Sequence, residues 1–135
     1  MAGYSGTPLP KKLGIKPGFK FALPDVPAEI RAELNPALEE CEESTSTRTL
    51  LDFILLSSKS QSELKKKFLP WSKRLASTGM LWVSWPKKTS GVATDLDENK
   101  VREIGLAAGL VDIKVCAVND VWSGLKFVIR VKDRG

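Results

Sequence analysis

The chain has no histidine. That excludes Ser-His-Asp and Cys-His nucleophile systems, imidazole proton transfer and His-ligated metal centres. Its two cysteines, Cys41 and Cys116, stand far apart and form no metal or redox motif. No structural zinc is expected, and no Asp-rich loop offers a Mg²⁺ or Ca²⁺ site. Cys116 reads as a buried thiol inside a strand pattern. No apolar run approaches the roughly 20 residues of a membrane helix. Gly6, Pro8 and Pro10 interrupt the stretch where a signal core would lie. No membrane partner is expected, and the cytoplasm is the expected location.

Acidic residues are the scarcer sign, 16 against 21 Lys and Arg, for a formal charge of +5. The bases are spread along the chain, while Glu39, Glu40, Glu42 and Glu43 form an acidic block. Such mild basicity permits nucleic-acid contact without arguing for it, so nucleic acid is not an expected partner. With 135 residues, 42% of them hydrophobic, the chain has the length of one domain and enough apolar surface for one core.

Residues 1–17 are rich in Gly, Pro, Ser, Thr and Lys and read as an arm. Leu9, Leu13 and Ile15 give it the means to pack on a sheet. Residues 18–135 carry alternating strand and helix patterns. Phe19, Phe21 and Leu23 mark a first strand, and Pro27 suits the first turn of a helix that Asn35-Pro36 should end. Residues 38–49 fit either a helical turn or a short edge strand followed by a polar loop. Leu50 to Leu56 form an apolar run of the length of a strand buried on both faces. Ser60 and Glu63 have capping-box spacing ahead of a helix carrying Leu64, Phe68, Trp71 and Leu75, with Gly79 as its stop. Pro70 predicts a kink in it. A third strand occupies residues 80–85. Thr94 and Asp97 are spaced as a second capping box for a helix that Gly109 ends. Residues 113–118 and 125–131 form the last two strands. Their short connection makes them antiparallel.

The order β-α-β-α-β-α-β-β predicts an α/β domain on a mostly parallel five-stranded sheet of Rossmann type, in two or three layers. Such folds place a Gly-rich turn after the first strand, whose amides approach a phosphate or cofactor. Here Pro24-Asp25-Val26-Pro27 stands in its place. Proline has no N–H to give. No cofactor is expected.

From Leu50 onward the pattern resembles the C-terminal half of a class I methyltransferase domain. The pieces that carry it are Leu51-Asp52-Phe53-Ile54-Leu55-Leu56, Gly79 with Leu81-Trp82-Val83, Ala107-Ala108-Gly109-Leu110 and the terminal hairpin. That resemblance implies strand order 1-2-3-5-4, with the last strand antiparallel. It also implies that all three helices share one face, leaving the arm or a second subunit to cover the other. Monomer and homodimer both stay open. A second resemblance covers nearly the whole chain. Tyr4-Ser5-Gly6-Thr7-Pro8-Leu9, Lys11-Lys12-Leu13-Gly14-Ile15, Trp85-Pro86-Lys87-Lys88, Ser90-Gly91-Val92-Ala93-Thr94-Asp95-Leu96, Val115-Cys116-Ala117-Val118 and Trp122-Ser123-Gly124-Leu125 resemble a group of small bacterial proteins, domain of unknown function 3052. That family implies a bacterial origin and carries over no catalytic roles.

Ligands in open α/β sheets bind beyond the carboxyl ends of the parallel strands. The pattern brings Asp25, Ser57, Lys87, Lys88, Ser90, Gly91, Asp120, Trp122 and Ser123 to that edge. One reading is a pocket for a small anionic ligand, with lysine charge, hydroxyl and amide donors and an indole face. The plainer reading pairs Lys87 or Lys88 with Asp120 and uses Trp122 as a plug. No catalytic set is assigned; Asp25, Asp120, Lys87 and Tyr4 are named only for mutagenesis. The expected function is a non-catalytic small-ligand or anion-binding, or protein-interaction, module on a degenerate methyltransferase-like scaffold. The alternative is a small group-transfer enzyme dependent on S-adenosylmethionine with an atypical pocket.

Overall fold

The computed structural model describes residues 7–44, 46 and 48–134. Tyr4, Thr45 and Thr47 lie outside the described residues. In chain order the elements are α1 (Leu9–Leu13), β1 (Lys20–Ala22), α2 (Ala28–Leu38), β2 (Glu42–Glu43), β3 (Leu51–Ser57), α3 (Gln61–Ser72), β4 (Leu75–Pro86), α4 (Glu98–Ala107), β5 (Leu110–Ala117) and β6 (Trp122–Ile129).

The strands form one sheet of order β2-β1-β3-β4-β6-β5. β2, β1, β3 and β4 are parallel, and β6 runs antiparallel between β4 and β5. Without β2 this is the 1-2-3-5-4 order expected of a methyltransferase-like sheet. The ambiguous stretch 38–49 supplies the sixth strand. It is only two residues long, and both of its side chains are exposed.

That short strand corrects the expectation that all helices share one face. β2 lies outside β1, so the first crossover moves away from β3 and the later ones move back across the sheet. With right-handed connections, reversing direction reverses the face. Accordingly, α2 packs Ile30, Leu34 and Leu38 with Leu9 and Leu13 of α1 against Phe53, Leu55 and Trp82. On the opposite face, Leu64 and Phe68 of α3 and Val101 and Ile104 of α4 cover Leu56, Val83 and Phe127. The domain has three layers, with β3 and β4 buried from both sides. The indole of Trp82, wholly buried, donates Nε1–H to the Leu13 carbonyl at 2.9 Å and so ties α1 to the sheet.

Several element limits differ from the pattern. α2 runs through Pro36 to Leu38, because burying Leu38 against the sheet outweighs one missing amide. α3 likewise continues through Pro70 but stops at Ser72. Leu75 belongs to β4, and Gly79 is a strand residue at a break in register: Leu51 opposes Leu75, yet Phe53 opposes Met80. A Cβ on Gly79 would lie 2.7 Å from the Leu51 carbonyl, so the close approach of the two backbones requires glycine there. α4 is capped by Asp97, which accepts from Lys100 N–H at 2.8 Å, rather than by Thr94. The Thr94 hydroxyl instead donates to the Lys59 carbonyl at 2.7 Å. Gly109, at φ +97°, ends α4 in the left-handed region as expected. No helix among the described residues is long and apolar enough to cross a membrane.

Candidate functional site

β2 and β3 are both parallel to β1 but lie on opposite sides of it, so the connections progress in opposite directions from β1 and the sheet has a topological switch point between β1 and β3. Open α/β sheets bind ligands beyond the strand ends at such a point. A cleft of about 650 Å³ opens there. It is lined by Ser57 and Ser58 at the end of β3, Trp122 at the start of β6, Asp25, Pro27 and Glu29 from the β1–α2 junction and the first turn of α2, Lys59 just before α3, Glu63 and Lys67 of α3, and Val92 and Val121. That volume is in the range of small-molecule sites.

The β1–α2 junction is rigidly held. Asp25 sits at φ +62°, the one described non-glycine residue in the left-handed region. Such backbone costs on the order of 1 kcal/mol or more and persists only when surroundings enforce it. They do so here. The Pro24 carbonyl accepts from Ser57 N–H at 3.2 Å, Val26 N–H reaches the Leu23 carbonyl at 3.4 Å, and the Asp25 carboxylate takes a short hydrogen bond from Lys67. That bond holds the Lys67 ammonium above its ordinary range, with burial working the other way. Pro27 caps α2 without a side-chain bond to its first turn. By contrast α3 begins with Ser60 Oγ accepting Glu63 N–H at 3.2 Å, although the reciprocal Glu63 bond of a full capping box is replaced by Ser58 Oγ accepting Ser60 N–H at 3.3 Å.

Of the residues selected from sequence, the structure brings Asp25, Ser57 and Trp122 to this cleft. The Ser57 hydroxyl is paired with Ser84 Oγ at 2.7 Å in the buried sheet. Trp122 is nearly buried, its backbone N–H held by Asn119 Oδ1 at 2.8 Å. Lys87, Lys88, Ser90 and Gly91 form a separate turn. Ser90 Oγ donates to the Lys87 carbonyl at 2.6 Å, Lys87 N–H bonds the Val121 carbonyl at 2.7 Å, and Gly91 adopts φ +82°. Neither lysine pairs with Asp120: Lys88 Nζ lies 3.7 Å from Oδ2 of Asp97, whose Oδ1 caps α4. Asp120 is exposed at the hairpin tip, and Ser123 is paired in the sheet with Trp85 and Ala117. Sequence reading missed Glu29, Glu63 and Lys67. The signal for the last two was their four-residue spacing, which puts them on one face of α3; the lysine run at 65–67 concealed it.

An acidic residue some 20 positions beyond the first strand is where a dinucleotide fold grips a ribose. Glu43, at the end of β2, stands at that position. It is clamped by Arg31 of α2 through two bonds of 2.7 and 3.3 Å. The guanidinium hydrogen bond holds the Glu43 carboxyl below its ordinary range.

Architecture and switch point together define a Rossmann-like domain of the methyltransferase type. A SAM-dependent methyltransferase from Aquifex aeolicus superposes with TM-score 0.60 at 20% identity, over 89% of this chain and 87% of that one. A precorrin-6y C5,15-methyltransferase from Geobacter metallireducens gives 0.59 at 9%, over 90% and 86%. A type 11 methyltransferase from Sulfolobus solfataricus gives 0.58 at 15%, over 93% and 91%. At these identities the likeness is one of fold. The family model "Protein of unknown function (DUF3052)" matches residues 19–131, and the chain belongs to that family. No curated protein sequence matches it.

The similar Aquifex aeolicus protein is SAM-dependent, and the residues present at the corresponding loop of this chain do not fit S-adenosylmethionine. Two prolines take amides from the loop that should face it, the Pro24 carbonyl is spent on Ser57, and the Glu43 carboxylate is engaged by Arg31.

Proposed function

We propose that the chain is a non-catalytic small-ligand-binding module on a methyltransferase-like scaffold, with its site in the cleft at the β1–β3 switch point. The observation that carries this reading is the β1–α2 junction, where the cofactor-gripping loop is replaced by a proline-flanked turn anchored to Ser57 and Lys67. What remains is a cleft with charges of both signs. Asp25, Glu29 and Glu63 line it together with Lys59 and Lys67, beside the indole of Trp122. Three carboxylates against two ammoniums favour a zwitterionic or cationic ligand over a simple anion. No group in this lining is arranged as a nucleophile with its base.

Thermal shift with panels of zwitterionic, cationic and anionic small molecules, and with S-adenosylmethionine and S-adenosylhomocysteine, tests the reading. Expected is stabilisation by a zwitterion or cation that is lost in Asp25→Asn and Lys67→Gln, with none from the sulfonium cofactor. Saturable, stoichiometric heat on titrating S-adenosylmethionine overturns it. That result supports the competing reading, a group-transfer enzyme with an atypical pocket, which draws its support from the similar fold of known methyltransferases.

A further inference from the structure

On the sheet face beside α1, Lys16, Lys114 and Lys126 have no ion pair with a carboxylate among the described residues. Lys114 on β5 and Lys126 on β6 are directly opposed across the antiparallel pair. Like charges so placed destabilise a sheet. Lys126 is partly buried, not held out in water, and its ammonium titrates below the ordinary range through burial, with Lys114 and then Lys16 adding repulsion. Lys12 on α1 donates Nζ to the Ala117 carbonyl at 2.7 Å, and Lys114 Nζ reaches the Lys12 carbonyl at 3.5 Å. The acid on β5, Asp112, instead bonds Arg102 of α4 at 2.9 Å, on the other side of the sheet.

A solvated lysine face costs little, and Lys16 and Lys114 are exposed, but Lys126 between them is partly buried. Lys126 gives up part of its hydration there, and a methionine or threonine at 126 would satisfy the same strand without repulsion. The arrangement becomes favourable when a dense negative charge stands among the ammoniums. Lysine, a compact point charge with three donors, suits phosphoryl oxygens. A single carboxylate would leave most of the charge unmatched. Binding of single-stranded nucleic acid rests on exposed aromatic rings beside the basic groove, and the indoles on this face, Trp82 and Trp122, are both buried.

We propose that the Lys16, Lys114 and Lys126 cluster on the α1 side of β5–β6 is a binding site for a small polyphosphorylated anion, carrying two or more phosphoryl groups. The site is separate from the switch-point cleft and independent of the reading given for that cleft.

The test uses inorganic tripolyphosphate as probe, against NaCl matched in ionic strength and a single-stranded oligonucleotide. In the intact chain, saturating tripolyphosphate should raise Tm by roughly 5 °C or more, and matched NaCl should not. Lys126→Met should raise Tm by a few degrees without the probe, on the order of 2–5 °C, and abolish the increment the probe produces. Lys114→Thr, at an exposed position where folding is safe, should also abolish it. Lys67→Gln, in the cleft, should retain it. An equal rise with NaCl, a Lys126→Met protein that loses stability or keeps the increment, or an increment lost only in Lys67→Gln overturns the proposal. So does stabilisation by the oligonucleotide without tripolyphosphate, which would make the face a nucleic-acid surface.

Discussion

The sheet face under α3 and α4 and the face under α1 and α2 are covered by different means. On the first, two amphipathic helices with side-chain caps lay Leu64, Phe68, Val101 and Ile104 on the strands. Phe68 meets Phe127 edge to face with centroids 5.2 Å apart. Gly105 lets α4 come close, since a Cβ there would lie 2.0 Å from the Phe127 ring. On the second, α2 starts on a proline without a side-chain cap, α1 has five residues, and α1 is tied to the sheet by the buried indole-to-carbonyl bond of Trp82 and by the lysine-to-carbonyl bonds of Lys12 and Lys114. A helix as short as α1 has no independent stability. It exists because Leu9, Leu13 and Trp82 are buried together. The first face is built by local sequence preference and the second by tertiary contact, and the second is where the partly buried Lys126 lies.

The sharpest way to break this contrast is to truncate one aromatic on each face. Trp82→Ala and Phe68→Ala should each cost about 3–5 kcal/mol, read by urea denaturation. Only Trp82→Ala should also leave the Leu13 carbonyl without its donor and release α1, read as rapid protease cleavage near residue 15 under native conditions. Equal protease resistance in both variants would show that α1 is held by something else. A smaller effect sharpens the difference in helix starts. Ser60→Ala should cost about 1 kcal/mol by loss of the α3 cap, whereas Pro27→Ala should change stability by less. A larger loss at Pro27 would contradict the description of α2 as held from its buried side.

The smallest effect concerns the Arg31–Glu43 clamp at the edge of the second face. Glu43 is drawn down by Arg31, so its contribution is complete above about pH 5 and fades as pH falls through its native-state value. Both side chains are more than a third exposed, at 38% and 47%, so the contribution is at most roughly 1 kcal/mol. Glu43→Gln should therefore lower stability slightly at pH 7 and converge with the parent as pH falls through the lowered native-state value of Glu43, followed by denaturation midpoints across the acid range. A constant offset at all pH values would show that the clamp contributes through packing alone.

The legible parts of the fold were those where one residue decides one local event. Ser60 at a helix start, Gly109 at a helix end and the apolar run at 51–56 all behave as their chemistry dictates. Residues 38–49 read equally as a helical turn or a short edge strand, because the two-residue exposed edge Glu42–Glu43 has no hydrophobic alternation to decide between them. Yet that pairing decides the face of α2. Gly79 read as a helix stop because its true constraint, the Leu51 carbonyl from another strand, is nonlocal. At the cleft, Asp25, Ser57 and Trp122 were found because strand ends are countable. Glu63 and Lys67 were passed over because the orientation of α3 about its axis is set by how Leu64 and Phe68 pack.

By itself the sequence determined the α/β class, the antiparallel last strand, the absence of histidine chemistry and the loss of two amides at residues 24 and 27, since each follows from residue type or from spacing along the chain. Only the tertiary structure decided the three-layer form, the partner of Lys88, the clamp on Glu43 and the gathering of Lys16, Lys114 and Lys126. Those depend on which distant segments become neighbours, and burial energy shared over the whole sheet selects them rather than any local preference.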